Sequence, residues 1–317
     1  MARLEKAIYK IFFDCLKLNR GDSCLILVDE ATRDLGQLLF NRAKKSKSDV
    51  AIMEIKSPNV RFGEPAPAVV NMMKQMSAIL SFTGRSLVHS NALKHVCHNG
   101  ARVLCLFPVS EESLARAVNT NFDFIDKKSR KLSDLFSIGR RIRLTTDAGT
   151  DLTIPIARHK GLANTGIVEA PGMFSVLPSG EASVVPDRRG TKGVLVVDGS
   201  IPTLGILEKP VVIHIKDGYA YQVFGDEEVS RLRKILKPFG KASRNIAEFG
   251  IGTNPNAILT GISIEDEKVL GTAHLALGKP EYEGGIQKGN VHLDLVLMKP
   301  TVAIDNRVVV KKGNLLV

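Results

Sequence analysis

The chain has 317 residues, of which 44% are hydrophobic and 24% charged, an ordinary composition for a soluble globular protein. It is long enough for two domains with a core that needs no disulfides, and no apolar run approaches the roughly 18 residues of a membrane span. The formal net charge of +11 would suit a nucleic-acid partner. However, the basic runs lack interleaved aromatic residues, so we interpret the charge as a solvated surface and expect no nucleic-acid or membrane partner.

The N-terminal segment, residues 1–18, has apolar side chains at helical spacing, interrupted by Glu5, Lys6, Lys10 and Asp14. This pattern predicts an amphipathic helix. It lacks the uninterrupted apolar core of a secretion signal, so we expect a cytoplasmic protein. The four cysteines are neither closely paired nor dense, which favours reduced core residues over a zinc or disulfide framework.

Between residues 23 and 117, short apolar runs alternate with helical patterns, which is typical of parallel strands joined by helices. The predicted strands are 24–28, 50–55, 78–82 and 102–106, and the predicted helices are 32–45, 66–75 and 87–97. Gly84 lacks a G-x-G-x-x-G context, so no dinucleotide site is predicted. Residues 111–140 then predict one long polar helix that connects to the second half of the chain.

From residue 142 onwards, period-two alternation and turn pairs predict a β-rich region. Its strongest hairpin signal is segment 211–221, where two alternating strands flank Asp217-Gly218. Only one clear helix, residues 227–236, interrupts the strands. We therefore expect an α/β protein with an N-terminal open α/β sheet domain, residues 1–141, and a C-terminal β-rich α+β domain, residues 142–317, that carries the chemistry.

The most informative strand is segment 291–297, in which His292 and Asp294 alternate with leucine and valine residues. Alternation places both polar residues on one face and the apolar residues on the other. A histidine and a carboxylate on such a strand are costly to bury unless they are paired or bind a metal. An ordinary hydrogen-bonded pair would satisfy the same pattern.

Three more residues extend this set. His274 lies among glycines and small apolar residues, Glu248 is expected at the end of a strand that leads into a glycine-rich turn, and Glu181 is expected at the entrance of another strand. A packed core histidine is the plain alternative for His274. Together, two histidines and three carboxylates are ligands that a pair of zinc, cobalt or manganese ions would take, although spacing alone does not bring them together.

At these segments the chain resembles the thermophilic metallo-aminopeptidases of the aminopeptidase T and aminopeptidase S type. The matching elements, in the family's order, are 178–181 (PSGE), 247–250 (AEFG), 273–278 (AHLALG) and 292–294 (HLD). Weaker similarity extends from about Gly21 to the C-terminus. The resemblance implies a homodimeric hydrolase that releases N-terminal residues from peptides with a water activated by two divalent ions. Its implied metal ligands are Glu181, Glu248, His274, His292 and Asp294.

The resemblance also implies roles for single residues. Glu248 is the candidate for the bridging carboxylate or the general base. Tyr282 is the candidate for a tyrosine that donates to the oxyanion, although its spacing after His274 departs from the family pattern. Arg188 and Arg189 stand where the family often has acidic or small residues, and they either bind a substrate carboxylate or face water.

Two other functions remain open. The pyridine-ring-cleaving dioxygenases look similar to these peptidases and hold one ferrous ion with two histidines and an aspartate, for which His274, His292 and Asp294 would suffice. We place the hydrolase first because Glu181 and Glu248 would then have no role. A non-catalytic binding protein on the same scaffold is the third hypothesis.

Overall fold

The computed structural model describes residues 2–57, 63–88, 90–107, 109–157, 159–187, 189–280 and 291–317. The helices are α1 (Ala2–Lys10), α2 (Arg33–Ala43), α3 (Pro67–Met73), α4 (Asn91–His98), α5 (Glu111–Ala117), α6 (Phe122–Ile138), α7 (Glu227–Leu236) and α8 (Ser263–Asp266). A π-helical turn, Ile11–Cys15, follows α1, and two short 3-10 helices, Lys237–Phe239 and Lys241–Arg244, follow α7. Among the helices of the described ranges, none is long and apolar enough to span a membrane.

The strands are short and run through the whole chain. In order they are β1 (Ser23–Val28), β2 (Asp49–Glu54), β3 (Ala78–Phe82), β4 (Arg102–Leu106), β5 (Arg141–Thr145), β6 (Asp151–Pro155), β7 (Leu162–Asn164), β8 (Phe174–Leu177), β9 (Glu181–Val184), β10 (Lys192–Val197), β11 (Ser200–Ile201), β12 (Gly205–Ile206), β13 (Val211–Lys216), β14 (Tyr219–Phe224), β15 (Ile246–Gly252), β16 (Ala273–Gly278), β17 (His292–Leu297), β18 (Thr301–Ile304), β19 (Arg307–Lys311) and β20 (Asn314–Leu315).

The chain forms two compact units, and the first comprises residues 1–122 and 165–179. Its sheet has five parallel strands in the order β2-β1-β3-β4-β8. The central strands β1, β3 and β4 are buried almost throughout, as expected for a parallel sheet covered on both faces. The four strands predicted between residues 23 and 117 are present. The fifth, β8, comes from a segment that the sequence analysis assigned to the C-terminal domain.

The predicted helix over residues 111–140 is wrong as a single element, because α5 ends at Ala117 and α6 begins at Phe122. The break falls on residues 118–121, which include Asn119, Thr120 and Asn121. The Asn119 side chain donates to the Ala115 carbonyl at 2.6 Å. Asparagine and threonine favour such local side-chain bonds over a continuing helix, which explains the interruption.

The cysteines belong to the packed core, in agreement with the sequence interpretation. All four are free thiols, and Cys15, Cys24 and Cys105 are buried. Burial raises the pKa of Cys24 to about 12 and that of Cys97 to about 11. Because the thiolate is the form that binds metals and attacks substrates, these residues serve packing rather than chemistry.

The second unit comprises residues 123–164 and 180–317. Its larger sheet is antiparallel, with eight strands in the order β14-β13-β10-β6-β5-β18-β19-β20. The predicted hairpin is present: β13 and β14 pair around Asp217 and Gly218, whose φ angles are 52° and 74°. A two-residue turn with both φ angles positive matches the right-handed twist of a hairpin, and an Asp-Gly pair adopts it readily.

The smaller sheet of the second unit is also antiparallel, with the order β17-β16-β15-β9-β7. One of its faces supplies large apolar side chains, among them Phe249, Leu275 and Leu295, to a core that it shares with the larger sheet. The combination of a parallel sheet with antiparallel sheets confirms the predicted α/β class. The opposite face of the smaller sheet carries the polar residues that the sequence analysis singled out.

Candidate metal centre

Strand register aligns polar residues of β15, β16 and β17 on one face of the smaller sheet. Glu248 in β15 and Asp294 in β17 are both paired with Ala276 in β16, so the two carboxylates flank a single methyl group. His274 lies two residues before Ala276 and therefore points to the same face. The expectation that Glu248 ends a strand is wrong, because β15 continues from it to Gly252.

Glu181 reaches the same face from the other side of β15. It is the first residue of β9, as predicted, and pairs with Gly252. Gly180 before it has a φ of 115°, and a Cβ at that position would lie 2.7 Å from the Asn254 side chain. The chain can therefore enter β9 in this direction only with glycine at position 180.

The five predicted ligands lie in one cluster that consists of two overlapping triads. Glu181, Glu248 and His274 form the first, and Glu248, His292 and Asp294 form the second; within each triad the potential ligand atoms lie within 4.8 Å of one another. Glu248 belongs to both triads. The fold thus brings together all five residues, while their role as metal ligands stays a prediction.

His274 is the most unusual member of the cluster. It is fully buried, yet neither ring nitrogen has a hydrogen-bond partner within the described ranges. Its Nε2 lies 3.6 Å from a carboxylate oxygen of Glu181 and 3.6 Å from one of Glu248, which is too long for a hydrogen bond. Burial alone would lower the pKa of His274, but the carboxylates of Glu248 and Glu181 raise it above its ordinary value.

A glycine makes room for the His274 ring. Gly250 pairs with His274 across β15 and β16, and a Cβ at position 250 would lie 2.2 Å from Nε2 and 2.3 Å from Cε1 of the ring. Real contacts do not reach such distances, so any other residue at position 250 would displace the imidazole. Gly250 therefore acts as a cradle for the ring.

His292 is oriented by the backbone. Its Nδ1 donates to the Lys279 carbonyl at 2.8 Å, and its Nε2 lies 3.2 Å from Oδ1 of Asp294. Because a carbonyl can only accept, Nδ1 carries a proton, and Nε2, which faces the Asp294 carboxylate, is the ring nitrogen that can bind a metal once it gives up its own proton. This backbone-histidine arrangement is the usual support of a metal-binding imidazole.

The pKa values of the two carboxylates in the second triad are shifted in opposite directions. Burial raises the pKa of Glu248, and the neighbouring histidines offset this only in part. Burial also opposes ionisation of Asp294, but the charge and hydrogen bond of His292 hold its pKa well below the usual range. Paired carboxylates with separated pKa values are typical of functional sites.

Two residues of the cluster were missed by the sequence analysis. Lys268 is only 1% exposed; its Nζ lies 2.6 Å from Oε1 of Glu181 and also donates to Glu267. Burial by itself would lower the pKa of Lys268. The carboxylates of Glu181 and Glu267 together have the larger, opposite effect and raise the pKa above its ordinary value, so the ammonium is charged. Burial raises the pKa of Glu267 well above its ordinary value.

The sequence offered little signal for this pair. Glu267 and Lys268 end a run of four charged residues, 265–268, that follows a polar loop, and such runs usually face water. In the fold all four are buried. They belong to the connection between β15 and β16 that contains the short helix α8. The Asn254 amide, just after β15, donates to the Lys268 carbonyl at 2.8 Å and holds this connection against the strand. Only the tertiary structure turns this run inward.

The donor set fits a divalent transition metal. Two imidazoles and several carboxylates converge, one imidazole is buried without a hydrogen bond from the part of the chain that the structure describes, and a glycine keeps space beside it. Such ligands suit iron, zinc, cobalt or manganese. Of the other predicted residues, Tyr282 and Arg188 lie outside the described residues, and Arg189 is exposed.

Comparison with known proteins decides the family. A family model described as NicX, 2,5-dihydroxypyridine 5,6-dioxygenase, matches residues 8–317. The chain belongs to this family. A curated NicX-family relative, the 2,5-dihydroxypyridine 5,6-dioxygenase of Pseudomonas putida KT2440, is 26% identical over 243 residues, which cover 72% of this chain and 68% of the relative.

Solved structures support the fold. The 2,5-dihydroxypyridine dioxygenase structure from Pseudomonas putida KT2440 has a TM-score of 0.85 at 20% identity, covering 99% of this chain and 97% of the other. Wild-type AmpT from Thermus thermophilus has a TM-score of 0.71 at 16% identity and covers 100% and 99% of the two chains. The second likeness confirms the fold that the aminopeptidase resemblance implied, and the fold alone.

The expected aminopeptidase activity is wrong. The family model and the curated relative both name a 2,5-dihydroxypyridine 5,6-dioxygenase, which corrects the prediction of a hydrolase, metalloprotease or aminopeptidase and favours the alternative given beside it. The physical reason lies in the ligand types: the same carboxylates and histidines on one fold suit either chemistry. Two metals were preferred because Glu181 and Glu248 would have no role at a single-ion site, whereas in the fold Lys268 contacts Glu181.

Proposed function

We propose that this protein is a dioxygenase that opens the ring of a dihydroxypyridine or a closely related hydroxylated N-heteroaromatic compound, with one ferrous ion. The observation that carries the proposal is the match of residues 8–317 to the NicX family in a chain whose buried cluster contains two histidines and an aspartate. The expected homodimer and the expected cytoplasmic location stay predictions.

In this proposal His274, His292 and Asp294 hold the ion. Each of the three has a potential ligand atom within 4.8 Å of a Glu248 carboxylate oxygen, so Glu248 links the two histidines and the aspartate in one cluster. Two histidines and one carboxylate leave coordination positions open, which is the arrangement that non-haem ferrous oxygenases use. When bound, the ion supplies the binding and electronic activation of dioxygen and of the ring hydroxyl.

Neighbouring backbone and side-chain groups fix the positions of the three ligands. The Lys279 carbonyl fixes the proton of His292 on Nδ1, so Nε2 is the donor atom. Ser263 Oγ lies 3.3 Å from Oδ2 of Asp294 and holds that carboxylate in place. The Gly250 cradle sets the position of the His274 ring.

Glu248 acts on a proton in this proposal. A ring hydroxyl is a better electron donor after it loses its proton, and a nearby base must accept that proton. Glu248 is 8% exposed and burial raises its pKa, so its carboxylate is a stronger base than an exposed one. We therefore assign Glu248 Oε1 the proton of the substrate hydroxyl.

The test is an anaerobic reconstitution of the full chain with Fe(II), followed by addition of 2,5-dihydroxypyridine and oxygenated buffer. We expect loss of the ring's ultraviolet absorbance, consumption of one O2 per ring, and both atoms of labelled O2 in the product. His292→Ala should bind no iron and show no turnover. Glu248→Gln should retain iron and lose most turnover, by about 100-fold or more for a missing general base.

Two outcomes would contradict the proposal. An iron-loaded wild type that consumes no O2 with 2,5-dihydroxypyridine or with other dihydroxypyridine isomers would exclude this substrate class. Iron binding that survives His292→Ala would exclude the assigned ligand.

A further inference from the structure

Glu181 is the residue that the proposed ferrous site leaves without a role. It lies in the first triad, next to Glu248 and His274, and in a two-ion site it would bind the second ion. The structure gives it another partner. Lys268 Nζ lies 2.6 Å from its Oε1, and the two side chains are 2% and 13% exposed.

We propose that the Lys268 ammonium takes the place of a second metal ion, so that Glu181 is its salt-bridge acceptor and the cluster binds one divalent ion per chain. This inference rests on the proposed single-ion function and adds the residue that sets the ion count. Lys268 is a positioning residue in this assignment, because it acts through Glu181 and Glu267.

The first argument is electrostatic. A buried carboxylate needs a nearby positive charge, since isolated charges in the interior are strongly unfavourable. For Glu181 a metal ion or an ammonium would serve. Lys268 is a buried lysine that contacts two carboxylates, those of Glu181 and Glu267, so its charge is engaged on both sides. A divalent ion bound to Glu181 would stand close to this fixed cation and would be repelled by it.

The second argument is geometric. The Lys268 backbone is fixed at both ends of the residue: its amide donates to the Glu265 carbonyl at 3.0 Å, and its carbonyl accepts from the Asn254 amide at 2.8 Å. A Cβ on Gly252 would lie 2.0 Å from the carbonyl oxygen of Val269, so β15 and the turn after α8 approach as closely as glycine allows. The Lys268 backbone therefore cannot move away from Glu181 without rearrangement of this turn.

The third argument is the link to the other end of the cluster. Glu267, the second partner of Lys268, lies 3.4 Å from Ser263 Oγ, and that hydroxyl lies 3.3 Å from Asp294. The ammonium thus supports both Glu181 and the side of the cluster that holds Asp294. Its removal should loosen the ion site but should not abolish it.

The experiment measures metal stoichiometry without turnover. Chelator-treated full-length protein is dialysed anaerobically against Co(II), and bound cobalt is measured by elemental analysis and by the visible spectrum of the bound ion. We expect one cobalt per chain for wild type. Lys268→Met keeps the apolar stem and removes the charge, and it should bind a second cobalt. The double variant Lys268→Met/Glu181→Gln should return to one, because the ligand for the second ion is gone.

Two further variants keep the result interpretable. Glu181→Gln alone should still bind one cobalt, with an affinity within about tenfold of wild type, as expected for a residue outside the ligand set. It also remains informative if Lys268→Met does not fold. Lys311→Met changes an exposed lysine and should behave as wild type.

The inference fails if wild type binds two ions, if Lys268→Met binds only one, or if Glu181→Gln loses the ion. Failure of the proposed function looks different: a chain that binds one cobalt or one ferrous ion but opens no ring would leave the assignment of Lys268 intact.

Discussion

Both units of this protein bury ionisable groups, and one such group in each unit differs in how far the fold satisfies it. In the first unit the buried Arg102 pairs with the partly exposed Asp22: the guanidinium contacts the Asp22 carboxylate at 2.7 Å and also donates to the Leu16 carbonyl at 2.7 Å. In the second unit the buried His274 has no hydrogen bond within the described ranges. The protein supplies hydrogen-bond partners to the Asp22–Arg102 pair, whereas the described residues supply none to the His274 ring.

This contrast separates charges that hold the fold together from charges that serve a function. A buried pair with all its partners supplied by the fold holds that fold together, and its loss appears as instability. A buried polar atom without a partner costs free energy, so a protein that retains one has a further use for it, such as coordination of a metal. Changes at the two places should therefore affect different measurements.

The largest effect that we expect in this comparison is on stability. Arg102→Met would remove the cation beside the Asp22 carboxylate, which keeps the Asn19 amide and Ser77 as donors, and would remove the donor to the Leu16 carbonyl. Loss of one partner of a buried ion pair costs about 3 kcal/mol. Urea unfolding of the metal-free protein measures this loss. Cobalt stoichiometry of the folded fraction should not change.

A stability loss below about 0.5 kcal/mol, the size of an ordinary surface substitution, would show that the first-unit pair is dispensable. The Asp22–Arg102 pair would then not be one of the interactions that stabilise the first unit.

The second effect is on metal affinity. In Gly250→Ala the new methyl group would occupy the space of the His274 ring, and we expect metal affinity to fall by about 10- to 100-fold, as for other changes that misplace a ligand. Cobalt titration of the folded protein measures it.

A double-mutant cycle isolates the cause. If Gly250→Ala acts only through the ring, its cost in the unfolding free energy of the metal-free protein should largely disappear in a His274→Ala background, where the methyl group has room. Additive losses would indicate instead that the alanine distorts β15 itself, and the cradle would then have no specific role.

The parts of this fold that the sequence predicted are those governed by local patterns. Short apolar runs identified β1 to β4, and Asp217-Gly218 identified the hairpin between β13 and β14 because that dipeptide accepts positive φ. The five polar residues of the cluster were recognisable as donor types at strand positions. Each of these signals lies within a few residues of chain.

The parts that it did not predict depend on long-range packing. β8 joins the parallel sheet beside β4, more than 60 residues earlier in the chain, and nothing in its four residues indicates that partner. Lys268 resembles a surface lysine until α8 turns it toward Glu181. That contact bears on whether one or two ions bind, so the choice between hydrolase and dioxygenase was beyond the reach of local patterns.

The smallest expected effect is a pH dependence of the first unit's pair. Burial opposes ionisation of Asp22, but hydrogen bonds from the Asn19 amide, Arg102 and Ser77 lower its pKa overall. The folded state therefore holds its proton less tightly than the unfolded chain. This contribution to stability is complete above the unfolded pKa of about 4 and is lost as the pH falls through the folded value.

In Asp22→Asn, urea midpoints at pH 5 and pH 3 should differ less than in wild type, whereas Asp147→Asn, at a side chain 82% exposed, should leave the wild-type difference intact. If the urea midpoints at pH 5 and pH 3 differ by the same amount in Asp22→Asn and in wild type, the Asp22–Arg102 pair does not depend on the charge of the carboxylate. Asp22 would then differ from His274 only in having hydrogen-bond partners.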